Sequence, residues 1–395
     1  MLALGTDLKR YIVKSYLASS LELTSRLLRK RAGSRNFRRV IIVAALGRND
    51  GISSGARLQF EAMRNLGIDV ELLDATRALR NPFFRIPHRA GSAYIFHSGG
   101  PQTASLVGSV LPHASNAYRV AYWAWELPDP PADWARCDSI VSEIWTPSAF
   151  SRRSLSRLIK RPIAVVPHHI PPNRPRVRRP GHPFTVLAMA DSRSSLSRKN
   201  PEGALRAFHA AFGTSPNARL LLKLGGNADA WHALERAAGH LLAGGNIEII
   251  RGYLDEAAMA SLYRSSDVLL SLHRAEGFGL PMLEAMAHGV PVVATGWSGN
   301  LEFMTHMDSH LVPYQLIPVR DASGIYIESS WAEPELEEAR RFLHRLAHSP
   351  DYYARYAASA HRSVAGMKPR FPFPMPENEA QAANIASPRA ASASA

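Results

Sequence analysis

Val40-Ile41-Ile42-Val43-Ala44-Ala45 is a short, unbroken apolar run, the pattern of a strand buried on both faces. A polar, glycine-containing loop (Gly47–Gly55) follows, then a helical stretch to about Asn65 and a second strand at Ile68–Leu73. The same alternation predicts strands at Ala93–His97, Arg119–Tyr122, Glu143–Trp145 and Ile163–Val166, with helices between them. The turn-forming stretch from Pro171 to Pro183 reads as a linker. A second series then begins, with strands at Thr185–Ala188, Arg219–Leu224, Ile247–Ile250, Val268–Leu272 and Val290–Ala294. Strands and helices alternating at these lengths imply right-handed crossovers and parallel, doubly wound sheets. The fold class is therefore α/β.

At 395 residues the chain exceeds what one core usually supports. The expected division is a basic N-terminal helical extension (1–38), a Rossmann-like domain (39–172), a second Rossmann-like domain (183–350), a C-terminal helix (351–366) and a disordered tail (367–395). Two such domains are expected to face a central cleft, with ligands at the carboxyl ends of the strands. The formal charge of +14 is uneven, because residues 1–40 hold ten Lys/Arg against two Asp/Glu. Residues 8–30 form a basic helical pattern with an incomplete apolar face of Leu8, Ile12, Leu17, Leu21, Leu27 and Leu28. That is either an anchor on an anionic membrane surface through residues 8–39 or a helix packed on its own domain. No aromatic-interleaved basic patch accompanies the charge, so nucleic acid is not expected as a partner. The single cysteine, Cys137, excludes an internal disulfide. With no stretch long enough to span a membrane and no apolar leader, the expectation is a cytoplasmic protein, peripheral at the inner face of the plasma membrane if the helix binds there.

The densest chemistry lies in residues 266–295. A strand ends near Leu272, the loop Glu276-Gly277-Phe278-Gly279 follows, Pro281 suits the first position of a helix, and Gly289 ends it before another apolar strand. Glu276 is thus placed in the loop and Glu284 one turn into the helix. The helix start offers free N–H groups and a positive dipole end, and Gly277 and Gly279 let the backbone approach a ligand. A carboxylate in the first turn can accept two hydrogen bonds from a vicinal diol such as ribose. Either glutamate alone reads as a dipole complement or a solvated group; both within this frame point to a binding loop.

This segment resembles the E-x7-E signature of retaining glycosyltransferases with the GT-B fold, in glycosyltransferase family 4 (the group 1 transferases), over about residues 39–365. The resemblance implies that Glu276, with the Gly277, Phe278 and Gly279 loop, faces the donor sugar, and that Glu284 binds the nucleotide ribose. It also implies that the basic loop Asp191–Pro201 places Arg193 and Lys199 on the donor diphosphate, with Arg198 able to replace Arg193. Fixed cations there stabilise the charge that builds as a nucleoside diphosphate departs. The segments Tyr122–Pro128, Glu143–Phe150 and Trp331–Pro334, with Trp134, resemble a subgroup of these enzymes. In them Glu126 suits contact with a sugar acceptor, while Trp123 and Trp145 read as core. His97 ends a strand where many members place a histidine near the donor sugar; a packed histidine is the other reading. Gly51-Ile52-Ser53-Ser54-Gly55 resembles the first strand-to-helix loop, whose backbone at Gly51 approaches phosphate. His168 and His169 read as hinge residues.

The chain has no Asp-x-Asp, so charge neutralisation is expected from the cationic loop and helix dipole, with no metal and no cofactor. The expected reaction moves a hexose from a GDP- or UDP-linked nucleotide sugar, GDP-mannose preferred by family analogy, to a saccharide or lipid-linked acceptor in cell-surface polysaccharide or lipopolysaccharide synthesis. The rivals are an epimerase or phosphorylase on the same scaffold, and a non-catalytic nucleotide-sugar-binding or scaffold protein.

Overall fold

The computed structural model describes residues 6–28 and 35–373, apart from positions 49, 82, 88, 112, 179, 180 and 227. The chain opens with α1 (Thr6–Leu27), β1 (Arg39–Ala44), α2 (Gly51–Asn65), β2 (Val70–Asp74), β3 (Ser92–His97) and α3 (Gly100–Gly108). It continues through β4 (Tyr118–Tyr122), β5 (Glu143–Thr146), α4 (Ala149–Leu155) and β6 (Ile163–Val165). The second series is β7 (Phe184–Asp191), α5 (Leu196–Lys199), α6 (Pro201–Phe212), β8 (Ala218–Gly225), α7 (Ala228–Leu242), β9 (Ile247–Arg251), α8 (Glu256–Ser265) and β10 (Val268–Ser271). Then come α9 (Leu280–Ala287), β11 (Val292–Thr295), β12 (His310–Val312), β13 (Tyr314–Pro318), β14 (Ser330–Pro334), α10 (Leu336–His348) and α11 (Pro350–Gly366).

The first six strands form one sheet in the order β2-β1-β3-β4-β5-β6, and the second sheet runs β12-β11-β10-β7-β8-β9. Strand β1 explains the apolar run: it pairs in parallel with β2 and β3, and Ile41 and Ile42 are fully buried. Burial of two such side chains contributes about 1.5–3 kcal/mol each. In the second sheet the core is Val186, Leu220, Leu222, Val268 and Leu270, covered by Leu205 and Phe208 of α6 and by Leu343 and Leu346 of α10. Here β7 lies between β8 and β10, so the loops leaving β7 and β10 diverge from a topological switch point. Those loops are residues 192–200 and 272–279.

By contacts between Cα atoms the chain divides into two compact units. Of the described residues, the first holds those up to Tyr122, Ser139–Glu143 and those from Pro369; the second holds those in Trp123–Asp138 and Ile144–Lys368. Residues 123–138 and 144–172 therefore pack with the second sheet's unit. Hydroxyls of Ser148 and Ser151 bonded to the Gly277 carbonyl are one physical reason.

Several local expectations are corrected. The loop predicted over Gly47–Gly55 is shorter, because Asp50 caps a helix that starts at Gly51: its side chain accepts from Ser53 N at 3.0 Å while Ser53 Oγ accepts from Asp50 N at 3.3 Å. Strand β2 begins at Val70, after Gly67 makes a left-handed turn at φ 76°. Strands β13 and β14 form an antiparallel hairpin that the apolar pattern does not announce. For α1 the packed alternative describes its second half, which lies within its own unit with Leu21 and Leu28 buried, Tyr16 Oη donating to Ala78 O at 2.9 Å and Thr24 Oγ1 to Ala104 O at 3.2 Å. Leu27 is exposed, and the side chains of Leu8 and Ile12 lie outside the described residues. Phe371 and Phe373 of the predicted tail stack on each other, and Phe373 meets Phe37 edge-on; the tail from 374 lies outside the described residues. Among the described residues no helix is long and apolar enough to cross a membrane.

Candidate functional site

The loop after β10 meets the loop after β7 within the second unit. Asn200, in the left-handed conformation at φ 52°, donates its side-chain amide to Leu272 O at 2.9 Å and caps α6 by accepting from Gly203 N at 3.1 Å. This pins the turn that carries Arg198 and Lys199. Lys199 Nζ then reaches Glu276 Oε1 at 2.5 Å, and Arg198 Nη1 lies 3.3 Å from Glu276 Oε2. Arg198 is 3% exposed and also donates to Ala275 O at 2.6 Å and Ser194 O at 3.1 Å. On the other side, Glu276 N donates to Ser298 Oγ at 2.8 Å, and Gly299 N donates to Glu276 O at 2.8 Å. Ser298 holds a strained backbone (φ 79°) to do this.

The electrostatics follow from burial and partners. Burial alone would raise the Glu276 carboxyl; Lys199 and Arg198, with His273 nearby, overcome it and hold the group at about 2. It is therefore an ionised acceptor at neutral pH. No described residue accepts from the backbone N–H of Gly277, Phe278 or Gly279. These amides precede α9, whose N-cap, Gly279, has φ 100°, a conformation suited to glycine. The loop thus presents a fixed carboxylate, two cations and free amide donors together.

Glu284 lies in α9, as expected, and its Oε2 accepts from Tyr263 Oη at 2.6 Å. Burial raises its pKa against the Tyr263 hydrogen bond and the field of Lys223, which lower it. Arg193 takes a different place from Lys199. It turns back on Asp191 (Nη2–Oδ2 2.9 Å) and lies over the Tyr253 ring at 4.5 Å. Lys223 lies 5.4 Å from the same ring. The structure therefore gathers Arg198 and Lys199 around Glu276, while Arg193 sits at the ends of β7 and β9.

Glu126 belongs to the same unit and stands against the Glu276–Gly279 loop: a Cβ on Gly277 would come within 3.8 Å of its Cγ and 3.2 Å of Ala124 Cβ. Burial raises its pKa, opposed by Arg198 and reinforced by Glu276. Tyr326, 5% exposed, hydrogen-bonds Glu126, lies 5.5 Å beneath the Arg198 guanidinium and packs on Trp125. It arrives on the β13–β14 connection, which Asp321 ties down by accepting from Ser195 Oγ at 2.6 Å. Tyr326 had no signal in the sequence, since nothing local marks that connection as reaching the site. Trp123 and Trp145 are fully buried core residues. His168, expected as a hinge residue, packs edge-on against the Phe278 ring at 5.1 Å, and burial pushes its pKa down to about 3.

In the first unit, His97 is buried at the end of β3, its Nε2 2.8 Å from Gln59 Oε1 and its ring stacked on Tyr122. Those contacts are those of a packed histidine. Gly51 is exposed at the first turn of α2.

Residues 185–328, which contain both loops, match the model of the family described as "Glycosyl transferases group 1". Over this stretch the chain is similar to a group 1 glycosyl transferase domain. A phosphatidyl-myo-inositol mannosyltransferase of Mycolicibacterium smegmatis is 32% identical over 142 residues, 36% of this chain and 34% of that protein. The matched stretch thus spans about a third of that relative. Among solved structures, HepE of Anabaena in complex with UDP-glucose aligns with a TM-score of 0.61 at 13% identity, over 84% of this chain and 95% of HepE. WaaG, a glycosyltransferase involved in lipopolysaccharide biosynthesis, aligns at 0.56 and 13% identity, over 88% and 99%. The fold is GT-B, as the two six-stranded parallel sheets with alternating helices require.

Proposed function

We propose that this chain is a group 1 transferase, a retaining hexosyltransferase that takes its sugar from a nucleotide sugar. The observation that carries the reading is the Glu276 carboxylate, ionised and held by Lys199 and Arg198 beside loop amides that meet no acceptor among the described residues. Glu276 accepts from donor-sugar hydroxyls. Lys199 and Arg198, with Arg193 and the start of α9, stabilise the diphosphate as its bond to the anomeric carbon breaks. Glu284, steered by Tyr263, accepts from the ribose hydroxyls. The new bond from an acceptor hydroxyl forms on the face the diphosphate leaves, and the hydroxyl proton passes to the departing phosphate oxygen. No carboxylate is assigned as a nucleophile.

Glu126, with its raised pKa, is the acceptor contact. The acceptor is a saccharide or lipid-linked glycan, and mannose from GDP is the first donor to try, because the matched relative is named a mannosyltransferase. UDP-glucose comes next, as the sugar nucleotide in the HepE complex. Action at the inner face of a membrane is supported by the basic N-terminal segment.

The experiment is a panel of nucleotide sugars scored by thermal shift, since a bound donor raises apparent stability by mass action, followed by release of nucleoside diphosphate. Binding by wild type and loss of turnover in Glu276→Ala and Lys199→Ala are expected. Unchanged turnover in both variants overturns the site, and no binding of any donor favours a scaffold role.

A further inference from the structure

The donor loop is gripped by a helix far from it in sequence. Ser148, the N-cap of α4, donates its Oγ to Gly277 O at 2.7 Å. Ser151 Oγ lies 3.3 Å from the same oxygen while donating to Trp125 O at 2.7 Å. The preceding carbonyl, Glu276 O, accepts from Gly299 N at 2.8 Å. Ser148 and Ser151 are buried, at 1% and 0% exposure. Gly299 packs so closely that a Cβ there would come 2.1 Å from Gly277 O.

A trans peptide directs its N–H opposite to its C=O. Fixing the carbonyls of Glu276 and Gly277 therefore fixes the N–H groups of Gly277 and Phe278 on the opposite side. Neither has an acceptor among the described residues. A donor aimed in advance needs no reorganisation when charge develops in front of it.

We propose that Ser148 is a positioning residue for transfer: by holding the Gly277 carbonyl, its hydroxyl aims the Phe278 amide at the nucleotide sugar. This rests on the functional reading above. Ser148 does two separable things. Its Oγ accepts from Ser151 N at 3.1 Å, capping α4, and its O–H holds the loop.

Three variants divide these roles, with kcat, KM for the nucleotide sugar and the unfolding midpoint measured on each. Glycine is nearly as good a cap as serine and alanine is a poor one, so Ser148→Gly keeps the midpoint closer to wild type than Ser148→Ala. Both are expected to lose about tenfold or more in kcat, with KM moving by less than about threefold, because both lack the hydroxyl. Ser148→Thr keeps the hydroxyl and restores most of kcat. Wild-type kcat in Ser148→Gly, or kcat losses that follow the midpoints instead of the hydroxyl, overturn the proposal. Inactive Glu276→Ala beside a fully active Ser148→Gly removes this role alone, whereas a wild type that releases nucleoside diphosphate from no donor removes the functional reading beneath it.

Discussion

Replacing Glu276 by glutamine keeps the shape of the side chain and removes one charge, so its effect reports the ion cluster alone. The Glu276 side chain is 9% exposed, and solvent screens its partners little. Burial would raise its pKa, but Lys199 and Arg198 bring it from an ordinary 4.5 to about 2. At about 1.4 kcal/mol per pH unit, that interval corresponds to about 3 kcal/mol of stability at neutral pH. The sign is set by the depressed value: the contribution is fully present above the unfolded pKa of 4.5 and is lost as pH falls towards 2. Glu276→Gln should therefore be less stable than wild type by about 3 kcal/mol at pH 7, roughly 2–4 °C in Tm per kcal/mol for a unit of this size. The gap should hold down to about pH 5 and narrow below it. All seven tryptophans lie in the second unit, so intrinsic fluorescence during denaturant unfolding follows the unit that carries the cluster. Equal stability at pH 7, or a gap that does not shrink between pH 4.5 and 3, would refute the assignment of Lys199 and Arg198 as the groups that hold this carboxylate.

Glu126 should behave in the opposite sense. Its folded pKa is raised, so its contribution to stability turns unfavourable as pH rises above the unfolded value of 4.5; Glu126→Gln should raise the unfolding midpoint at pH 8, with the difference vanishing below about pH 4. The same variant should lower transfer to an acceptor while leaving donor hydrolysis, a comparison of the two rates that fails if both fall together. Lys199→Ala leaves Glu276 with Arg198 alone and should cost about a hundredfold or more in kcat/KM, against a smaller loss in Arg193→Ala, whose guanidinium sits on Asp191; initial-rate kinetics rank the two. Tyr263→Phe removes the hydrogen bond that steers Glu284 and should weaken nucleoside-diphosphate binding by about 3- to 10-fold by calorimetry.

What could be read in the sequence was what local pattern controls, and what could not was set by distance along the chain. The unbroken run at Val40–Ala45 announced a strand buried on both faces, and the Gly/Pro frame of Glu276–Gly289 announced a loop and a helix start. Both forecasts rest on a few neighbouring residues. The choice between Arg193 and Arg198 does not, because it depends on which guanidinium finds Asp191 and which finds Ala275 O. Nothing in the spacing separates two arginines five residues apart on one short turn. Tyr326 is the stronger case. Its residue type carries no signal, the hairpin that delivers it has too few apolar positions to show a period, and its partners are 200 and 128 positions away. Glu126 was legible as a carboxylate at a strand end, but the direction of its pKa was not, since that requires knowing that Glu276 and Tyr326 share its surroundings. Ser148 is a similar case: its place as the N-cap of α4 is set by its immediate neighbours, whereas its hydrogen bond to a carbonyl 129 residues on becomes visible only once the loop is in place. A chemical role of this kind is fixed by where a polar atom ends, and the local pattern fixes only where its backbone begins.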